Sequence, residues 1–427
     1  MSVLVVGAAL SGAAAVRLLE RLGEEDVVVY DADAGAAERL ADGRHRWGGG
    51  DWDPGLLEGV HLVVASPGVP PHAPVLRDAV AAALPVWSEI EFAWRHLDVP
   101  IVAVTGTNGK TTVTEIAAAM LSASGLRSAP VGNIGDPLCD AVGAGHDALA
   151  VEVAALHLRF VDRFRPDAAV ITNVAPDHLD WFGSYDAYRH AKARIHANQE
   201  PGDLVAYDAD DEGARAAVAG AASRRVPVSG SRLPDGGAGV YDGALHVGAV
   251  RVPTTGLVRD DPVFLVDAAL AGVAALHVGA TPEGVEKALV DFRPSAHRRE
   301  VVAETGGVRW VNDSKATNPH AALASIASWD SVVLIAGGRN KDLDVAAVGR
   351  APTVRHVIGI GEAGPEIVDA ATSGEVADDL ADAVRRAAAV ARSGDTVLLA
   401  PACASFDMFR SFGHRGDEFR RLVREVA

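Results

Sequence analysis

Lys110, Thr111 and Thr112 close the stretch IVAVTGTNGKTT (101–112), whose residue types suit the binding of a phosphate chain. An apolar β-type run from Ile101 to Val104 leads into Gly106, Thr107, Asn108 and Gly109, and a small-residue helical pattern follows through Met120. Glycines let backbone N–H groups approach phosphate oxygens, and the helix N-terminus adds the positive end of its dipole. The Lys110 amine can reach a terminal phosphate, and the Thr111 hydroxyl can hold Mg²⁺. A general P-loop has another glycine five residues before Gly109, where this chain has Val104, so the loop is a shortened variant. These residues predict an ATP site.

Other chemically capable residues fall just past predicted strands. Glu152 ends an apolar strand over 148–153, where a carboxylate across a parallel sheet from a P-loop suits Mg²⁺. Asn133 lies in the turn Gly132-Asn133-Ile134-Gly135. The string NVAPDHLD groups His178 with Asn173, Asp177 and Asp180, candidate metal or phosphate ligands. Lys192 follows on a helical run over 185–198. Further on come Ala296-His297-Arg298, then Asn312-Asp313-Ser314-Lys315-Ala316-Thr317-Asn318-Pro319, the GGRNKD stretch with Lys341, and Pro401-Ala402-Cys403-Ala404-Ser405-Phe406-Asp407.

Composition sharpens the lysines. The chain has 34 Arg and five Lys, so a generic cation is almost always Arg, and a surviving Lys marks a place where a compact, deprotonatable amine is needed. Lys287, on the amphipathic helix PEGVEKALVDF, reads instead as drift.

The elements that must position these groups form three α/β units, expected at 1–96, 97–293 and 294–427. The first begins with a strand (Val3 to Val6), a turn holding Gly7 and Gly12, a helix over 13–22 and a strand ending at Asp31. This βαβ order binds nucleotides at strand C-termini, although Ala9 occupies the middle glycine position of the dinucleotide fingerprint. Ser66-Pro67-Gly68 turns at the same edge. Residues 225–258 are β-rich, with a hairpin at Tyr241–Ala244, and helices are expected over 263–279 and 282–292.

The whole chain sets outer limits. With 427 residues it can bury more than one core, and a net charge of −18 argues against nucleic acid and anionic membranes as main partners. Two cysteines without metal spacing suggest a reducing compartment. No apolar run is as long as a membrane span, and the N-terminus enters a strand at once without a basic signal region. A cytoplasmic enzyme is expected.

Taken together, GTNGKTT, NVAPDHLD, YRHAKARI, NDSKATNP and APACASFDMFRSFGHRGDEF closely resemble the Mur ligases, ATP-dependent amide ligases that build the peptide of bacterial cell-wall precursors. The resemblance runs end to end. It implies an N-terminal Rossmann-like domain, a central P-loop ATPase domain and a C-terminal Rossmann-like domain. It also implies ATP, Mg²⁺ at two sites, a monomer, and UDP-N-acetylmuramoyl-L-alanine and glutamate as substrates. By match, Lys110 stabilises the transferring phosphoryl group, while Thr111, Glu152 and His178 belong to the Mg²⁺ shell. Lys192 matches a lysine that the family carbamylates, and Asn133 would lie near the accepting carboxylate. Arg298, Asn312 and Asp313 match nucleotide contacts, with Lys315, Thr317 and Lys341 bridging ATP and the amino acid. Ser405, Phe406 and Phe412 match the pocket for the glutamate side chain. Leu10, Ser11, Asp31, Ser66, Pro67 and Gly68 match the cradle for the UDP moiety.

The chain also departs from the family pattern. After the metal-site Glu the family reads Ser-Ser-Phe-Gln; here Val153 is followed by Ala154-Ala155-Leu156-His157. A His-Asn pair near the adenine is replaced by Val263-Phe264, and an Arg two residues past Asp31 by Asp33. The expected activity is D-glutamate addition. Alternatives are a ligase on the same scaffold with L-glutamate or another acceptor, and a nucleotide sensor that binds without turnover.

Overall fold

The computed structural model describes residues 1–426, and the polar clusters singled out above lie at the strand ends of three sheets. The first sheet contains β1 (Ser2–Val6), β2 (Val27–Asp31), β3 (Arg46–Gly49), β4 (Val60–Ala65) and β5 (Val86–Ser88), in the order β3-β2-β1-β4-β5. All its pairings are parallel. β1 is buried along its whole length, as an apolar run covered on both faces must be. The helix after it runs Leu10–Arg21, three residues ahead of the expected start.

The second sheet contains β6 (Ile101–Thr105), β7 (Pro130–Gly132), β8 (Leu149–Glu152), β9 (Ala168–Ile171), β10 (Leu204–Asp208), β11 (Arg224–Ser229), β12 (Ala238–Tyr241), β13 (Ala244–Val247) and β14 (Val250–Pro253). β6 lies between β8 and β9, parallel to both. The far edge turns antiparallel through β12, β13 and β14. Asp242 and Gly243 carry φ of 49° and 67° at the expected hairpin, the backbone a two-residue turn between twisted strands requires. The P-loop helix Lys110–Ala123 buries Val113, Ile116, Met120 and Leu121 against Pro262–His277, a helix apolar almost throughout.

The third sheet contains β15 (Glu300–Thr305), β16 (Val308–Asn312), β17 (Val332–Gly337), β18 (Val354–Ile360), β19 (Gly374–Val376) and β20 (Thr396–Leu399), in the order β15-β16-β20-β17-β18-β19. β15 pairs antiparallel with β16, and the other pairings are parallel.

The chain forms two compact units: Met1–Val174 with Asp186–Phe292, and Ala175–Tyr185 with the chain from Arg293 onward. In the first unit, one buried carboxylate fastens the segment after β5 to a loop of the second sheet. Glu91 accepts the backbone N–H groups of Asp162 (2.9 Å), Arg163 (3.1 Å) and Phe164 (2.8 Å) and the Arg95 side chain (2.6 Å). Charge-assisted bonds of this kind are roughly twice as strong as neutral ones. Among the described residues no helix is long and apolar enough to cross a membrane.

Candidate active site

β6 delivers Thr105 into Gly106, whose φ of 154° and crowded surroundings leave no room for a side chain. A Cβ there would stand 1.8 Å from the Thr172 hydroxyl. The end of β9 holds the loop in shape. Thr107 donates its N–H to the Asn173 carbonyl (2.8 Å), Asn108 donates its N–H to the Asn173 side-chain oxygen (2.9 Å), and the Thr172 hydroxyl donates to the Asn108 carbonyl (2.5 Å). Gly109 is left-handed, φ 82°, and a Cβ on it would meet the buried Asp267 carboxylate at 2.6 Å. Lys110 opens the helix, with Thr112 buried behind it, and its amine donates to the carbonyls of Gly106 (2.9 Å) and Thr107 (3.0 Å).

Thr111, Glu152 and Asn133 meet at one carboxylate. The Thr111 hydroxyl donates to one Glu152 oxygen at 2.7 Å, and the Asn133 amide donates to the other at 2.9 Å. Glu152 is 3% exposed, at the end of β8. A hydroxyl beside a carboxylate at a phosphate-shaped loop is a donor set that fits Mg²⁺, which binds one or two carboxylates and takes its remaining ligands from water and substrate phosphates. Among the described residues no three His, Cys, Asp or Glu side chains form a protein-only metal cage. Lys192, 1% exposed, reaches the same loop: its amine donates to the Gly106 carbonyl at 2.6 Å and lies 4.5 Å from the Tyr188 ring centroid.

At the first sheet, the turns after β1, β2 and β4 come together. One Asp31 carboxylate oxygen accepts the Ala8 N–H (2.7 Å) and the other the Asp33 N–H (2.8 Å). The Ser66 hydroxyl donates to the Gly7 carbonyl (3.2 Å), with Pro67 and Gly68 following in the turn. Leu10, 75% exposed, and Ser11 open the helix at that edge. An apolar side chain left uncovered there is available to a ligand.

The second unit carries the remaining expected site residues. His178 is left-handed (φ 50°), its N–H donating to Asp177 at 2.9 Å. Asp177 is buried and also meets the Asn318 amide (3.2 Å) and the Lys341 amine (3.4 Å). Asn318 meanwhile caps the helix Pro319–Ile326 by accepting the Ala321 N–H. Asn312 is fully buried, its amide donating to His297 (3.0 Å) and to the Gly416 carbonyl (3.0 Å). It therefore positions its loop. Asp313, beside Arg298 and Arg299, is pushed above the usual carboxylate range by burial, which those cations oppose. The Lys315 amine lies 5.2 Å from the Phe412 ring centroid, and the Thr317 N–H donates to the Lys315 carbonyl. Ser405 is buried, Phe412 is partly exposed, and Phe406 is 66% exposed. Thr111, Glu152 and Lys192 thus belong to the first unit, and His178 to the second.

Several contributors had no sequence signal of their own. Asp267 sits in a helix that reads as core, while Tyr188 and Arg415 lie inside the strings YRHAKARI and APACASFDMFRSFGHRGDEF without a role of their own there. Beside the site, His157 is held well below the usual imidazole range, at about 4, by burial alone. Burial pushes Glu89 up to about 7, against the Cys139 N–H that donates to it at 2.6 Å.

Residues 104–232 match the family described as Mur ligase middle domain, and residues 297–403 the Mur ligase, glutamate ligase domain. A Frankia casuarinae protein named UDP-N-acetylmuramoylalanine–D-glutamate ligase is 44% identical over 99% of this chain and 94% of its own length. A protein of the same name from Pelotomaculum thermopropionicum is 39% identical over 99% and 97%. A pseudomurein peptide ligase type C from Methanothermus fervidus has the same fold, with a TM-score of 0.64 over the full length of both chains at 16% identity.

Proposed function

Because the chain belongs to the Mur ligase family, we propose that it is the ATP-dependent ligase that adds D-glutamate to UDP-N-acetylmuramoyl-L-alanine in peptidoglycan precursor synthesis. The observation that carries this is end-to-end identity of about two residues in five to ligases of that name, with the phosphate loop and its carboxylate intact. The acceptor carboxylate attacks the terminal phosphorus of ATP and ADP leaves. The glutamate amine then attacks the acyl phosphate carbon, loses a proton, and phosphate departs from the tetrahedral intermediate. Such chemistry consists mostly of positioning and charge neutralisation.

In this reading the N–H groups of Gly106–Thr112 cradle the phosphates and Lys110 neutralises the one in transit. Asn133 orients the acceptor carboxylate. Thr111 and Glu152 would hold Mg²⁺, and by the family match His178 and a carbamylated Lys192 would be further ligands of two metal sites; the metal would supply positive charge to phosphate oxygens. Arg298, Asn312 and Asp313 serve the nucleotide side, and Lys315, Thr317, Lys341, Ser405, Phe406 and Phe412 the amino acid. Leu10, Ser11, Asp31, Ser66, Pro67 and Gly68 hold the UDP moiety. The assigned domains are 1–96, 97–293 and 294–427, the last boundary supported by the division of units at Phe292/Arg293. The enzyme works in the cytoplasm as a monomer.

Phosphate release from ATP with UDP-N-acetylmuramoyl-L-alanine is the test, comparing D-glutamate, L-glutamate and no amino acid. Turnover with D-glutamate alone is expected. Turnover with L-glutamate instead moves the chain to another branch of the family, and binding without turnover makes it a sensor.

A further inference from the structure

Arg415 is among the largest fully buried side chains of the molecule, 1% exposed, three residues into the helix Phe412–Val426. Its guanidinium joins two loops. Nε donates to the Ser314 hydroxyl (3.0 Å), one terminal nitrogen donates to the Ser314 carbonyl (2.9 Å), and both donate to the Cys403 carbonyl (3.3 Å). It also lies against Gly338, where a Cβ would stand 3.4 Å from a guanidinium nitrogen. Through Ser314 the network continues, because that hydroxyl donates to the Phe412 carbonyl at 2.8 Å.

Every one of those acceptors is neutral. Among the described residues no carboxylate hydrogen-bonds or pairs with Arg415. The one carboxylate that acts on it without a direct bond is Asp407, which has one oxygen occupied by the Glu362 N–H (3.0 Å) and the other buried without a hydrogen-bond partner among the described residues. Burying a cation without a counter-ion is expensive, and the first turn of a helix is the wrong end of its dipole for a positive charge. Burial accordingly pulls the guanidinium down to about 10, still charged at neutral pH. A brace alone needs no charge. A charge held in low dielectric between two loops raises the affinity of those loops for an anion.

The two loops are the ones assigned above to the amino acid. We infer that Arg415 is the specificity-determining positioning residue that makes this subsite prefer an amino acid with a second carboxylate, acting through the Ser314–Phe412 and Cys403–Ser405 loops. The inference rests on the ligase reading.

The test is the ratio of the inhibition constant of D-glutamine, competing with D-glutamate, to the KM of D-glutamate, measured by phosphate release. Arg415→Gln removes the charge and keeps a hydrogen-bonding amide, and Arg415→Met fills the space with an apolar stem, as a second neutral variant where the first does not fold. Arg415→Lys keeps the charge. Each neutral variant should lower the ratio about tenfold or more, chiefly by raising the glutamate KM. Arg415→Lys should stay within about threefold of the wild type, whatever its kcat. Equal losses for both amino acids in all variants would reduce Arg415 to a brace and overturn the inference. A wild type with no turnover on glutamate would overturn the ligase reading instead.

Discussion

The sharpest stability test lies at the departure after Glu152. His157 belongs to the short helix Ala155–Leu158, is 1% exposed, and its Nδ1 has no hydrogen-bond partner among the described residues. Burial lowers its ring from 6.5 to about 4, so the folded chain keeps it neutral where the unfolded chain would protonate it. Stability from this site is full above pH 6.5 and is lost as pH falls towards 4. The loss runs at about 1.4 kcal/mol per pH unit across that window, or about 2 kcal/mol by pH 5. His157→Gln installs the residue type of the family pattern and cannot titrate. Urea unfolding of both proteins at pH 8 and pH 5 isolates the effect. Any packing change from the substitution is common to both pH values and cancels in the difference. Relative to the wild type, the variant should gain about 2 kcal/mol between pH 8 and pH 5. A gap constant to within about 0.5 kcal/mol would show that the ring is solvated in the folded chain and refute the reasoning.

Glu89 should behave in the opposite sense: its carboxyl is raised from 4.5 to about 7, so its contribution is full below pH 4.5 and lost as pH rises through 7. Glu89→Gln should therefore gain about 3 kcal/mol on the wild type between pH 4.5 and pH 8, read by the same unfolding comparison. Gly106→Ala places a methyl 1.8 Å from the Thr172 hydroxyl and should abolish measurable ATP binding in calorimetry while leaving far-UV circular dichroism unchanged. ATP affinity within a few-fold of the wild type would mean the loop can move aside. Lys192→Ala should lower turnover by about two orders of magnitude. Short carboxylates should restore part of that turnover in the Ala variant, and Arg in its place should not.

What the sequence made legible was local. Thr105-Gly106 through Thr112 announces itself because strand, glycines and helix start are contiguous, and Glu152 and Asn312 because each ends a strand. What stayed hidden depends on pairing across the chain. Arg415 sits in a quoted motif whose local spacing gives it no role: that role comes from Ser314 and Cys403, 101 and 12 residues away. Asp267 reads as one polar residue in an apolar helix until that helix lies against Gly109. The short edge strands β3 and β19 (Arg46–Gly49 and Gly374–Val376) are too weakly apolar to stand out. Residues 175–185 lie between β9 and β10 of the second sheet in sequence, yet they belong to the second unit, where Asp177 is held by Asn318 and Lys341.

The survival of two lysines has a physical reason at one oxygen atom. The amines of Lys110 and Lys192 both donate to the Gly106 carbonyl, at 2.9 and 2.6 Å. Two ammonium groups on one oxygen repel each other, and a guanidinium is too broad and too permanently charged to replace either. The arrangement is eased by an anion brought to the loop, or by converting one amine into an anion. The ligase reading supplies both: a phosphate chain for Lys110 and a carbamate on Lys192. Lys287, by contrast, pairs with Asp291 on an exposed helix face, where Arg would serve as well. On that reading an Arg-rich chain keeps Lys at a site where a cation must be compact and able to change its charge.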